Sequence, residues 1–290
     1  MIARATIISI LLTFSLLSQK KNDVWCAVVR LDGLLVPLST FDGSHWNMPG
    51  LSGFQIPFGV PEDWYFWPVT GPKSMIGRGT PVMFERPGDP PGVAFLTDFC
   101  PQTTRTDVYP YPKAGIAFGQ QVLFQQMLPT DTSQPSAKRL IARLLKIFNR
   151  REVTDSSKAI SFLGYLPSAQ KRKEASVTIQ FLGETSGYSN AHECFYYFEF
   201  IKHYPAKDCG PTSMYKGWVH QTQGDSSCFN DDISFGDCDK GTASAARPYG
   251  SVLLNGRLFF VLEIIPYEGE TWSILEWRDK RLVDVTPAMN

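Results

Sequence analysis

The segment CFNDDISFGDCDKG, residues 228–241, holds four aspartates and two cysteines. Together with Asp225, the carboxylates of Asp231, Asp232, Asp237 and Asp239 are the hard oxygen ligands that calcium takes from a flexible loop. DCDKG (237–241) has the Asp-x-Asp-x-Gly opening of many calcium loops, which makes Asp231, Asp237 and Asp239 the candidate Ca2+ ligands. Ala243 and Ala245 stand where later ligands are wanted, and the distal glutamate of an EF-hand is missing. The plainer reading is a solvated acidic loop pinned by Cys228 and Cys238.

Other chemistry is dispersed. A glycoside hydrolase needs two carboxylates about 5 to 10 Å apart in a cleft. Glu193, Glu199, Asp225, Glu263 and Glu276 are the candidates, and three of them (Glu199, Glu263, Glu276) interrupt apolar strand patterns. Alternation alone would place such residues on the outer side of a sheet. A zinc site would have to come from His45, His192, His203 and His220, without the His-Glu-x-x-His helix motif. SNAHEC (189–194) and GDSS (224–227) resemble the histidine and serine segments of chymotrypsin-like proteases. Only 226 − 192 = 34 positions separate His192 from Ser226, too few for that fold, and there is no Gly-x-Ser-x-Gly elbow. Nucleotide-binding fingerprints are incomplete throughout. Trp64, Trp67 and Trp218 are candidates for an aromatic platform that stacks on sugars, against the plainer reading of core residues in a β domain.

The N-terminus sets the compartment. Arg4 precedes the uncharged run ATIISILLTFSLLS (5–18), shorter than the roughly 20 residues of a membrane span and suited to a secretory signal. Residues 1–18 therefore read as a signal peptide, with an uncleaved membrane anchor as the second reading. Export places the protein in the periplasm or outside the cell. Six cysteines in such a compartment predict disulfides. Clustering suggests Cys26 with Cys100, Cys194 with Cys209, and Cys228 with Cys238, although sequence alone leaves fifteen pairings open. The last pair closes a loop of about eleven residues, worth roughly 3 kcal/mol in the chain-entropy picture.

The elements that must position these residues are mostly strands. Asp32-Gly33, Asp42-Gly43, Asn255-Gly256, Glu268-Gly269 and Arg278–Lys280 are turn signals between apolar runs. The C-terminal residues 251–287 read as a β-meander. Residues 133–152 differ: apolar side chains at 140, 141, 144, 145 and 148 have helical spacing. The opposite face carries Lys138, Arg139, Arg143, Lys146, Arg150 and Arg151. Pro135 suits a first helical turn. Gly-x-x-Trp recurs at Gly43–Trp46 and Gly269–Trp272, each after an Asx-Gly turn, as repeated β-units would show.

The expected fold is mostly β, with antiparallel sheets in a sandwich- or propeller-like arrangement, one amphipathic basic helix near the middle, and disulfide bonds. The boundaries are an N-terminal β-rich half (24–132), the helix (133–152) and a C-terminal β-rich half (153–290). A formal net charge of zero gives no global argument for nucleic acid. The expected function is a non-catalytic binding or structural protein of the cell envelope or exterior, with a glycan or an anionic envelope component as partner. The alternative is a glycan-directed hydrolase. No cofactor motif is present, and Ca2+ is the one ion the residue pattern suggests.

Overall fold

The computed structural model of the chain describes residues 23–49, 60–69, 75–84, 92–97, 113–188, 193–206, 210–223, 225–237, 245–265 and 271–287. It divides into two compact units between Gln121 and Val122. The division precedes the basic helix, which therefore belongs wholly to the second unit.

The first unit is a small closed barrel. Strands β1 (Val24–Arg30) and β2 (Leu34–Phe41) form a hairpin over Asp32-Gly33, with Gly33 at a φ of 81° that a side chain would strain. The short β3 (Trp46–Asn47) folds back on β2 after Asp42-Gly43. Strands β4 (Asp63–Pro68), β5 (Met75–Phe84) and β6 (Gly92–Thr97) form a meander, and β7 (Lys113–Phe118) joins β4 to β1. Since β6 also pairs with β2, six antiparallel strands close into a ring that has no free edge. A ring this narrow is filled by its own side chains. Trp25, Val29, Leu35, Trp64, Phe66 and Phe95 occupy it, with the Trp25 and Trp64 rings edge to face at 6.4 Å. Gly115 on β7 lets β4 pass close by: a Cβ there would lie 2.1 Å from the Trp67 carbonyl oxygen.

The second unit opens with β8 (Leu123–Gln126) and β9 (Leu128–Pro129), then three helices: α1 (Pro135–Thr154), α2 (Ser156–Leu163) and α3 (Ala169–Glu174). Two four-stranded meanders follow. The first is β10 (Ser176–Ser186), β11 (Cys194–His203), β12 (Thr212–Thr222) and β13 (Asp225–Gly236). The second is β14 (Ala245–Leu254), β15 (Arg257–Ile265), β16 (Thr271–Arg278) and β17 (Arg281–Asp284). Period-two alternation sorts their side chains. Phe195, Tyr197 and Trp218 of the first sheet meet Leu258, Phe260 and Leu262 of the second. Phe198, Phe200, Tyr215, Ile233 and Phe235 point the other way, onto Leu140, Leu144 and Phe148 of α1. The first sheet is thus apolar on both faces, as its FYYFEF run requires.

Both edges of this sandwich are stitched. The run Leu123–Pro129 pairs with β14 through β8 and with β10 through β9, with buried Met127 at the corner. At the opposite edge Asn230, at a φ of 46°, imitates a peptide group. Its Nδ2 donates to the Leu282 carbonyl at 3.0 Å, and its Oδ1 accepts from the Leu282 amide at 3.3 Å.

Several expectations need correction. The acidic loop is strand β13 as far as Gly236, because Ile233 and Phe235 supply the alternating apolar contacts that the aspartates disguised. Among the described residues the one expected helix becomes three. The β-units form a barrel and a sandwich, and no propeller blade appears among the described residues. The expected disulfide framework is not supported: among the described residues Cys26, Cys194 and Cys228 are free thiols and no disulfide is found. Cys194 and Cys228 lie on β11 and β13 with β12 between them, about two strand spacings apart and beyond bridging distance. Cys100, Cys209, Cys238 and the Glu268-Gly269 turn lie outside the described residues. The Asp32-Gly33, Asn255-Gly256 and Arg278–Lys280 turns form as expected, with Asn255, Gly256, Asp279 and Lys280 all at positive φ.

The contact at Gly115 predicts that Gly115→Ala costs about 1–3 kcal/mol, since the new methyl must displace backbone. Thermal unfolding followed by near-ultraviolet circular dichroism will report it, and an unchanged melting profile would refute the tight β4–β7 crossing.

Candidate functional site

Helix α1 buries Ala137, Leu140, Leu144, Phe148 and Glu152, a single stripe at helical spacing that ends in a carboxylate. Glu152 is met beneath the helix by Lys202, which alternates with Phe198 and Phe200 on the helix-facing side of β11. The Lys202 ammonium donates to Glu152 and to Asn149 Oδ1 (2.6 Å) and lies 4.9 Å from the centre of the Phe148 ring. The hydroxyls of Tyr204 and Ser213 donate to the other Glu152 oxygen, the latter at 2.9 Å. Glu152 and Lys202 are 1% and 3% exposed, so each depends on the other for its charge to be tolerated.

This anchoring places the rest of the helical cations beside β13. The Arg151 guanidinium donates to both oxygens of Asp231 at 3.0 Å, and Tyr215 donates to the same carboxylate at 2.9 Å. Lys158 of α2 pairs with Asp232 at 2.5 Å. Arg143 bonds the Ser226 hydroxyl and, at 2.5 Å, the Ser226 carbonyl. The acidic strand and the basic helices, two separate anomalies in the sequence, neutralise one another in part.

Lys138, Arg139, Lys146 and Arg150 remain exposed, and no acid among the described residues pairs with them. Arg139, Arg143, Lys146 and Arg150 fall on one helical stripe, which runs for about 16 Å at 1.5 Å per residue. At its N-terminal end a cleft of about 170 Å³ is lined by Ser136, Arg139, Leu140, Arg143, Gln221 and Ser226. Its polar lining is rich in hydrogen-bond donors, carries two guanidinium groups and has no carboxylate.

The other candidate residues are scattered. Trp64 (1% exposed) is enclosed in the barrel and Trp218 (2%) in the sandwich, so neither ring offers a face to a sugar. Trp67 is half-buried and edge to face with Phe118 at 5.5 Å. Asp231 is taken by Arg151 and Tyr215. Asp237 follows the end of β13, and Asp239 lies outside the described residues. No group of three His, Cys, Asp or Glu side chains suited to a metal occurs among the described residues.

The carboxylates do not converge either. Glu199 lies between the sheets, where it accepts from Tyr197 Oη and the Ala246 amide, both at 2.6 Å. Burial pushes its carboxyl above the usual range. Glu263 and Glu276 lie on the other face of the second sheet. Glu276 is opposite Phe259, four residues along β15 from Glu263, or about 13 Å. The Arg257 guanidinium holds Glu276 below its ordinary value, and Tyr249 donates to Glu263 at 3.0 Å. Glu193 pairs with His220 at 2.9 Å, and the His220 ring stacks on Phe195 at 4.7 Å, which joins a candidate acid to a candidate zinc ligand. His45 and His203 are exposed elsewhere, and His192 lies outside the described residues.

Comparison with known proteins gives no match: no family model, no curated protein and no solved structure matches this chain.

The buried pair predicts that Lys202→Met costs about 3–5 kcal/mol, because it strands the Glu152 charge. Glu152→Leu/Lys202→Met should recover a large part of that loss, and additive losses in chemical denaturation would rule out the coupling. Glu199 gives a pH dependence. Its folded carboxyl holds a proton at pH values where the unfolded one has released it, so stability falls as pH rises from the ordinary carboxylate value to the raised one. Glu199→Gln keeps both hydrogen bonds to its Oε, should flatten that slope and should hold or raise neutral-pH stability. Denaturation midpoints from pH 4 to 8 that track the parent would refute this.

Proposed function

We propose that the chain is an exported, non-catalytic binding protein of the cell envelope or exterior that holds an anionic glycan or other anionic envelope polymer along α1. One observation carries the reading: Arg139, Arg143, Lys146 and Arg150 form an exposed stripe that makes no ion pair with any acid among the described residues, while Arg151 and Lys158 are neutralised by β13. Charge left unpaired on a helix anchored as firmly as this one is available to a polyanion, and its attraction extends about 8–10 Å at physiological ionic strength. Export rests on the sequence of residues 1–18. Binding is preferred to the hydrolase reading because Glu193, Glu199, Glu263 and Glu276 lie on different faces or are held by Arg257, Tyr197, Tyr249 and His220.

The test is retention on dextran sulfate against neutral dextran. Retention should weaken steeply with salt, and Lys146→Glu/Arg150→Glu should lower affinity about tenfold or more. The same charge change on α3, Lys171→Glu/Lys173→Glu, should have a small effect. No retention at low salt, or equal loss from the α3 variant, would overturn the stripe as the binding surface.

A further inference from the structure

We propose that the cleft at the N-terminal end of the stripe is a subsite for a phosphate monoester carried on a sugar-sized group, such as a terminal or pendant residue of the polymer. The inference rests on the reading of α1 as the polyanion surface and assigns the chemistry of one position on it. Arg139 and Arg143 are four residues apart on α1, so their side chains leave the same face with Cβ atoms about 5–6 Å apart. Arg143 is held in place by the hydroxyl and carbonyl oxygens of Ser226 on the neighbouring strand, which leaves donor capacity on its guanidinium. Arg139 has no acid beside it among the described residues.

The lining therefore carries two positive charges and no negative one. A carboxylate or a sulfate ester brings one negative charge, whereas a phosphate monoester brings about 1.5 to 2 at neutral pH and three strong acceptor oxygens. Guanidinium groups match such oxygens in pairs. The remaining walls suit a sugar ring. Ser136 and Gln221 offer a hydroxyl and an amide to ring hydroxyls, and Leu140 offers an apolar surface to ring CH groups. The cleft, at about 170 Å³, has room for several waters, more than an isolated phosphate displaces.

The test is isothermal titration of the whole protein with glucose 6-phosphate, inorganic phosphate, glucose 6-sulfate, glucuronate and glucose. Glucose 6-phosphate should bind several-fold more tightly than inorganic phosphate and at least tenfold more tightly than the sulfate, the uronate or the neutral sugar. Its affinity should fall several-fold from pH 7.5 to pH 5, as the phosphate takes up its second proton near pH 6. Arg139→Gln, on an exposed side chain, should weaken it at least tenfold with an unchanged melting temperature, and Lys171→Gln/Lys173→Gln should leave it unaltered. Equal binding of the sulfate or uronate, a silent Arg139→Gln, or no heat with any phosphate overturns the subsite. Dextran sulfate retention without sugar-phosphate binding overturns the subsite alone. Sugar-phosphate binding without retention overturns the stripe and leaves a small-molecule site.

Discussion

The second unit depends on one buried ion pair. Glu152 and Lys202 meet between α1 and the first sheet, where a lone charge would be costly and a matched, fully hydrogen-bonded pair is tolerated. Apolar contacts alone would let a helix slide or rotate on a sheet with little change in buried area. A carboxylate with three donor groups around it allows one register. That register brings Arg151 to Asp231, Lys158 to Asp232 and Arg143 to Ser226. It also decides which cations are left over.

The stitching at both sandwich edges follows a similar logic. A strand edge presents unpaired amides and carbonyls. At one edge the chain itself crosses between the sheets through β8 and β9. At the other, where the register of β13 on β12 shifts around Asn230, a side-chain amide supplies a pair to Leu282. The barrel meets the same constraint by closing on itself. In its narrow interior Gly115 matters as much as the tryptophans, because two strands approach there too closely for any side chain.

The charged residues show why the site was only partly legible. The basic face of residues 138–151 was visible as a run of cations at helical spacing. Glu152 extended the 140, 144, 148 spacing and so announced that an acid would be buried, a signal that a search for apolar residues passes over. Lys202 was likewise on the alternation of Phe198 and Phe200. The aspartates of β13 suggested calcium because ligand spacing is a local property. The actual partners, Arg151 for Asp231 and Lys158 for Asp232, are 80 and 74 residues distant. The aromatic platform failed for a comparable reason: residue type does not tell an exposed ring from an enclosed one, and Trp64 and Trp218 are enclosed in separate units.

By itself the sequence determined the local structure. Turn pairs such as Asp32-Gly33 and Asn255-Gly256 dictate hairpins because few residues accept positive φ, and alternation or helical spacing dictates which faces are apolar. Strand content, the C-terminal meander and the basic helix all follow from such short-range rules. Tertiary structure alone decided the closure of the barrel, the pairing of the acidic strand with the basic helices, and the identity of the cations left unpaired. These depend on contacts between residues far apart in the chain, where burial sets the strength of a charge and geometry sets its partner.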